Sequence, residues 1–391
     1  MFAFAVAVAA TPLIVGLYAY VGYPAILWLI VRMRPSALAS MDFGTWPTVT
    51  ITVPVYNGVA SIRTTLERLT ELDYPSDRLQ LLVLSDASTD GTDDVVREFA
   101  SRGVELLRAP ERSGKTAAEN AAVSRARGEI IVNVDATVAV PRTSLKWLVR
   151  AFSDPSVGVA SGRDVSVDPA RRAGTSAEAS YVGYEMWVRG LETRAGSIVG
   201  ASGCFFGIRR NIHAEPLPPE LSWDFASTLV ARQRGYRSVS VPEAVCIVPR
   251  TGEIRTELRR KARTMARGLS TLFYFRALMN PFRYGAFAWM LISHKLLRWI
   301  PYLLAPFATL ALAALAPQTK VASGFLGLVL LGSTAGITAM RRRRSGVPKI
   351  FALAGFVMAA FTAGFLAWYD ALTGTRTITW SPTTRPDASA A

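Results

Sequence analysis

Residues 2–31 contain no charged side chain, and Arg32 and Arg34 close the run. A helix needs about 20 consecutive apolar residues to cross a bilayer, and this stretch exceeds that. A cleaved leader would start with a basic segment and carry a shorter apolar core, so residues 1–34 read as a retained membrane helix. Three more apolar segments come late, at 299–316, 321–340 and 349–370. The basic run Arg341 to Arg344 separates the last two, and Lys320 lies between the first two. Basic loops stay on the cytoplasmic side. The charge bias predicts a chain that enters the cytoplasm after its first helix and keeps its large middle section there. Three spans (299–371) then follow, and a polar tail (372–391) ends outside.

Composition supports a mixed architecture. Half of the 391 residues are apolar, yet the net charge is +15. Nucleic-acid binding would explain that charge, but Arg341 to Arg344 sit between two spans and cannot reach a duplex, so no nucleic-acid partner is expected. Cys204 and Cys246 form no disulfide framework and lack metal-site spacing. They read as small buried residues in a reducing compartment. Residues 266–283 and 284–298 mix aromatic and aliphatic side chains with Arg and Lys, the pattern of helices lying along a bilayer surface. The second is alternatively another span, although His294, Lys295 and Arg298 place its end at the interface.

Between 48 and 152 the pattern alternates. "TVTITVP" (48–54), "LQLLVLSD" (79–86), "GVELLRA" (103–109) and "EIIVNVD" (129–135) read as strands. Ile62, Leu66 and Leu69 fall on one helical face between the first two. "TDGTDDVVREFA" opens with helix-capping residues, and "KTAAENAAVSRAR" reads as an alanine-rich helix. Near-continuous apolar strands alternating with helices predict a mostly parallel sheet covered on both faces. Ligands bind such sheets beyond the carboxyl ends of the strands. Polar loops stand at those ends: "PVYNG", "SDASTDGT", "ERSGKT" and "VDAT". They bring Asp86, Asp90, Lys115 and Asp135 to one rim.

The segments "VTITVPVYN", "VLSDASTDGT", "RSGKTAAENAA" and "GEIIVNVDAT" resemble the successive motifs of glycosyltransferase family 2. The likeness continues through "ASGCFFGIRR", "SWDFASTLVARQRGYR" and "SHKLLRW", and covers roughly 46–299. It implies an α/β fold of the GT-A nucleotide-sugar-binding type over 46–265, with a mostly parallel central sheet flanked by N- and C-terminal transmembrane helices. It also implies an enzyme at the inner (plasma) membrane, multi-pass, with its catalytic domain in the cytoplasm.

The resemblance assigns roles residue by residue. Asp86 resembles the acid that accepts a hydrogen bond from a uracil ring, with Pro54, Tyr56 and Asn57 lining the base and ribose pocket. Asp90 is expected to cap a helix. Lys115 is placed to reach the diphosphate as a point charge. Asp135 resembles the first acid of the family's metal motif, which would hold a divalent cation, Mg or Mn. Most relatives have a second acid or an asparagine two residues on; here it is Thr137, a weaker ligand. Asp224 matches the catalytic aspartate, the general base of inverting transfer, and is equally a helix N-terminal acid. Gly203 and Trp223 fall where an acceptor would bind, though Trp223 alternatively fills core space. Arg260 and Arg263 fall where processive synthases carry Gln-x-x-Arg-Trp, without the tryptophan, and lie three apart on one helix face. They would grip the diphosphate or face lipid headgroups.

Three functions follow. The first is transfer of a sugar from a nucleotide-sugar donor, a UDP-sugar before others, to a glycan or lipid-linked acceptor at the bilayer, alongside other glycan-assembly proteins. The second is a processive polysaccharide synthase that extrudes its product. The third, prompted by Thr137, is a non-catalytic nucleotide-sugar-binding scaffold.

Overall fold

The computed structural model describes residues 1–33, 45–167, 177–249, 254–341, 349–375 and 378–379. Arg34 and Arg342 to Arg344, used above to orient the spans, lie outside the described residues. The chain forms two compact units, Ile30–Thr251 with Thr377–Ala391, and Met1–Leu29 with Gly252–Arg376.

The first unit is built on seven strands: β1 (Val49–Val55), β2 (Leu79–Ser85), β3 (Val104–Arg108), β4 (Ile130–Val134), β5 (Val157–Val167), β6 (Phe205–Arg209) and β7 (Arg237–Pro249). Their order is β3-β2-β1-β4-β6-β5-β7. β6 pairs antiparallel with both β4 and β5, and every other pair is parallel. The sheet is mostly parallel, as the alternation of strand and helix predicts. β1 and β4 are buried along their whole length, which is why both read as near-continuous apolar runs. The helix Val59–Thr70 buries Ile62, Leu66 and Leu69, the stripe its spacing predicts. These side chains join Ile51, Val53 and Val55 in one core. Each such burial is worth roughly 1.5–3 kcal/mol before chain entropy is set against it.

The order of the first four strands creates the functional edge. From β1 the chain steps outward through β2 to β3, then returns to place β4 on the other side of β1. Connections therefore leave β1 and β4 in opposite directions, which opens a crevice at their carboxyl ends. Pairing of β1 with β4 stops at Thr52 and Asn133, whereas pairing with β2 continues to Val55 and Ser85. Pro54 lies past the point where β1 and β4 part, where a missing N–H is tolerated.

The second unit is helical. Among the described residues, three helices are long and apolar enough to cross a membrane: Phe2–Arg32, Ala286–Leu315 and Lys320–Thr338. Val357–Thr373, within the helix Lys349–Thr373, is a shorter apolar helix. Residues 284–298 are not a separate surface segment. From Ala286 onward they continue through a π-turn, Ile292–Leu296, into Leu297–Leu315. Proline and glycine occur at Pro281 and Gly285, where the chain turns into the helix, and no such breaker separates 286 from 300. A second π-turn, Tyr18–Gly22, interrupts the first helix. The Trp289 Nε1–H donates to the Tyr18 hydroxyl at 2.9 Å, and that hydroxyl also pairs with Ser293 Oγ at 3.0 Å. The helix Ile254–Tyr274 runs through residue 265, where the sequence suggests a domain boundary, and groups with this helical unit.

Candidate active site

Asn57 (φ 47°) and Ala87 (φ 58°) are the non-glycine residues with positive φ among the described residues. They follow β1 and β2 on the same edge. Left-handed backbone costs of order 1–3 kcal/mol for a residue with a Cβ and gathers at functional sites. Asn57 uses its conformation to tie the two loops together. Its N–H donates to Ser88 Oγ at 3.1 Å, and its Oδ1 accepts from the Thr89 N–H at 2.8 Å. Asp90 has the structural role expected of it. It accepts from the Val59 N–H at 3.0 Å and the Thr92 N–H at 3.1 Å, the first residues of two helices. Burial works to raise its pKa, but hydrogen bonds from Thr92 and Val59 outweigh that and lower it.

Asp86 is fully buried. Its Oδ1 accepts from the Ser113 N–H at 2.7 Å and the Gly114 N–H at 3.1 Å, and its Oδ2 from the Gly114 N–H at 3.0 Å. The carboxylate thus pins the loop from which the helix Lys115–Arg125 starts. Gly114 has φ +90°, and a Cβ there would meet the Ile378 carbonyl oxygen at 2.4 Å, so glycine is required twice over. Tyr56 carries the Arg112 guanidinium 3.9 Å from its ring centre. Pro54 is buried inside β1.

Ile378 brings a correction. The tail was expected on the far side of the membrane from the sheet, but Ile378 lies against Gly114 in the same unit. In a background lacking the native cysteines, a cysteine at Thr379 is expected to label together with one at exposed Ser101, before or after permeabilisation alike. Labelling of the two from opposite faces would return the tail to the other side.

The centre of the site joins three loops. The Lys115 Nζ donates to Asp135 Oδ1 at 2.6 Å and to the Gly203 carbonyl at 3.0 Å. The Asn133 amide donates to that same carbonyl at 3.3 Å, and the Asp135 N–H donates to the Cys204 carbonyl at 3.1 Å. A Cβ on Gly203 would lie 3.4 Å from Asp224 Oδ2, so Gly203 stands between the Lys115–Asp135 pair and Asp224. Burial acts to lower the Lys115 pKa, but Asp135, Glu119 and Asp224 overcome it and raise it. The ammonium stays charged. The sequence places Lys115 and Asp135 on one rim with Asp86 and Asp90, and the resemblance adds Gly203 and Asp224; the structure brings Lys115, Asp135, Gly203 and Asp224 together from positions up to 109 residues apart (115 to 224).

Asp224 lies in the first turn of the helix Trp223–Gln233, and the Ser222 hydroxyl donates to its Oδ1 at 2.7 Å. Trp223 is only 2% exposed. Its ring stacks on His213, with centroids 4.1 Å apart, so it fills core and offers no face to an acceptor sugar. Burial pushes the His213 pKa down to about 3, which keeps the stacked imidazole neutral. Thr137 occupies the third position of a turn closed by the Val138 N–H on the Asp135 carbonyl at 3.2 Å. Arg260 and Arg263 lie on the helix Ile254–Tyr274, in the helical unit. Burial and the neighbouring Arg260 charge lower the Arg263 pKa.

Among the described residues, no three acids, histidines or cysteines cluster as a metal site. Mg²⁺-type ions are commonly held by one or two carboxylates completed by substrate phosphates. The Asp135 side chain, 30% exposed at a strand end, fits such a donor set, and Thr137 adds a neutral oxygen two residues on.

The sequence reading missed Glu119, Asn120, Thr116 and Ser222. The Thr116 hydroxyl donates to the Leu221 carbonyl at 2.7 Å. The Asn120 side chain binds Leu217 through both its carbonyl and its N–H, at 2.7 and 2.9 Å. One face of the helix Lys115–Arg125 thereby holds the loop that leads into Asp224. For Thr116 and Asn120 the signal was their i, i+4 spacing on one helix face.

Comparison with known proteins finds similarity to glycosyltransferases. A solved mannosyltransferase from Pyrobaculum calidifontis, in complex with GDP-Man and Mn²⁺, is 25% identical with a TM-score of 0.71, over 96% of this chain and 99% of that one. An N-acetylglucosaminyltransferase of a Rhizobium species is 26% identical over 68% of this chain and 62% of its own length. A beta-monoglucosyldiacylglycerol synthase of a Nostoc species is 28% identical over 43% of this chain and 37% of its own length. The chain thus spans less than two thirds of the length of these two curated relatives. Residues 50–215 of this chain match the model of glycosyl transferase family 2, and its mostly parallel sheet has a fold of the GT-A type, shared with the mannosyltransferase.

Proposed function

We propose that the protein is a membrane-bound inverting glycosyltransferase. It moves a sugar from a nucleotide-sugar donor, a UDP-sugar before others, to a glycan or lipid-linked acceptor at the cytoplasmic face. The observation that carries this reading is the contiguous set Lys115, Asp135, Gly203 and Asp224 at the carboxyl ends of the strands.

Each part has a chemical task. Asp86 holds the loop beside the base site, and Tyr56 with Arg112 forms a flat cationic wall there. Lys115 meets the diphosphate as a point charge. Asp135, with Thr137 beside it, would hold a divalent cation, which supplies Lewis-acid stabilisation of charge on the departing nucleoside diphosphate. Asp224 takes the proton of the acceptor hydroxyl as that oxygen bonds to the sugar's anomeric carbon and the bond to the diphosphate breaks. The Ser222 hydroxyl bonds Oδ1 and so orients the carboxylate, with Oδ2 beside Gly203. The absence of a side chain at Gly203 leaves room for the reacting centre.

The membrane-length helices favour a second reading, a processive synthase. One experiment tests both. Purified full-length protein in detergent is incubated with UDP-N-acetylglucosamine, UDP-glucose and GDP-mannose, and released nucleoside diphosphate and product length are measured. Turnover of one donor with a single sugar added supports the first reading, and long products support the second. No turnover of any nucleotide sugar, with lipid extract supplied as acceptor, would reject both.

A further inference from the structure

Glu119 lies one helical turn beyond Lys115, on the same face of the helix Lys115–Arg125. It is 0% exposed, and neither carboxylate oxygen has a hydrogen-bond partner among the described residues. The Thr52 hydroxyl faces it from β1 without reaching hydrogen-bond geometry. An unsatisfied buried carboxylate is among the most expensive groups a core can contain. Burial drives its pKa up to about 7; the Lys115 charge opposes that rise, and the Asp135 charge adds to it. Lys115 gives its hydrogen bonds to Asp135 and Gly203 and none to Glu119. Nothing in the hydrogen bonding described here explains why an acid occupies this position.

An explanation follows from counting charges once the site is loaded. In the structure Asp135 neutralises Lys115. A divalent cation on Asp135 would share that negative charge and also repel the ammonium, leaving a largely buried lysine without its counter-ion. We propose that Glu119 is a positioning residue for Lys115: it is the counter-charge that keeps the ammonium at the strand-end edge when Asp135 turns to a cation bearing the donor diphosphate. The carboxylate lies within reach of Lys115 on the same rigid helix, so it requires no movement of the loops. It touches neither donor nor cation and acts only through the lysine. This inference rests on the reading of the site as a metal-assisted glycosyltransferase.

The test compares binding with and without metal, in full-length protein, using UDP and GDP as probes by calorimetry. Glu119→Gln keeps shape and removes charge. In excess EDTA its affinity for the nucleotide that wild type binds is expected to match wild type within twofold, because Asp135 still holds Lys115. In Mn²⁺ it is expected to fall on the order of tenfold. Glu119→Asp, which keeps the charge one methylene shorter, should recover part of that loss. In a Lys115→Met background, Glu119→Gln should cost nothing further, the signature of coupling through the lysine. Equal losses in Mn²⁺ and EDTA, or a loss that persists without Lys115, would show a packing role and overturn the inference alone. A wild type that binds neither nucleotide under either condition would overturn the glycosyltransferase reading and this inference with it.

Discussion

Replacing Asp224 with asparagine is expected to lower sugar transfer on the order of 100-fold or more, the usual scale for loss of a general base. That factor is about 2.7 kcal/mol in the barrier. The amide keeps the shape, and the Ser222 hydroxyl still has an oxygen to bond, so the helix Trp223–Gln233 should start as before. Nucleotide affinity should therefore stay within a few-fold of wild type, and the loss should appear in kcat. The check is a steady-state comparison of kcat and KM, with nucleotide binding measured separately. Near-normal turnover would remove Asp224 from the chemistry and leave it a helix N-terminal acid stabilised by the dipole.

Asp135→Ala should be comparably severe and should differ in its metal response. The substitution removes the proposed cation ligand and the hydrogen-bond partner of Lys115 at 2.6 Å. Transfer is expected to drop by at least about 100-fold, as when a preorganised charge is taken from a transition state, and the residual rate should no longer rise with Mn²⁺. Wild type should lose activity in excess EDTA and regain it with added Mn²⁺ or Mg²⁺. Full wild-type activity in EDTA would mean that Lys115 and neighbouring basic groups neutralise the diphosphate alone.

Local features of this fold were readable from the chain, and those set by distant partners were not. The stripe Ile62, Leu66, Leu69 follows from periodicity, and the strand ends read at Asp86 and Asp135 lie one residue past the observed Ser85 and Val134. The reversed strand β6 was not readable, because its place between β4 and β5 depends on pairings across 71 to 79 residues on the β4 side and 45 to 49 on the β5 side. Lys115, Asp135 and Asp224 stood out as charges at strand or helix ends. Glu119 did not, because an acid four residues after a lysine on a helix ordinarily signals a solvent-exposed ion pair. Only the packing of that helix on β1 shows that this pair faces inward. For Trp223 the sequence left two roles open, and stacking on His213 decided for the core. The first strand, read as ending at Pro54, runs on to Val55.

The helix Lys115–Arg125 works as a shaft with a fitting at each side. Lys115 at its first residue holds Asp135 and the Gly203 carbonyl, while Thr116 and Asn120 fasten the segment 217–221 just ahead of Asp224. Lys115 and Asn120 are separated by five residues of rigid helix, roughly 7.5 Å along the axis. A small turn or slide of that shaft shifts the ammonium and the base-bearing segment in one stroke. In the proposed mechanism, donor grip and base aim are therefore geared together, and evolution cannot retune one of them through this helix without disturbing the other.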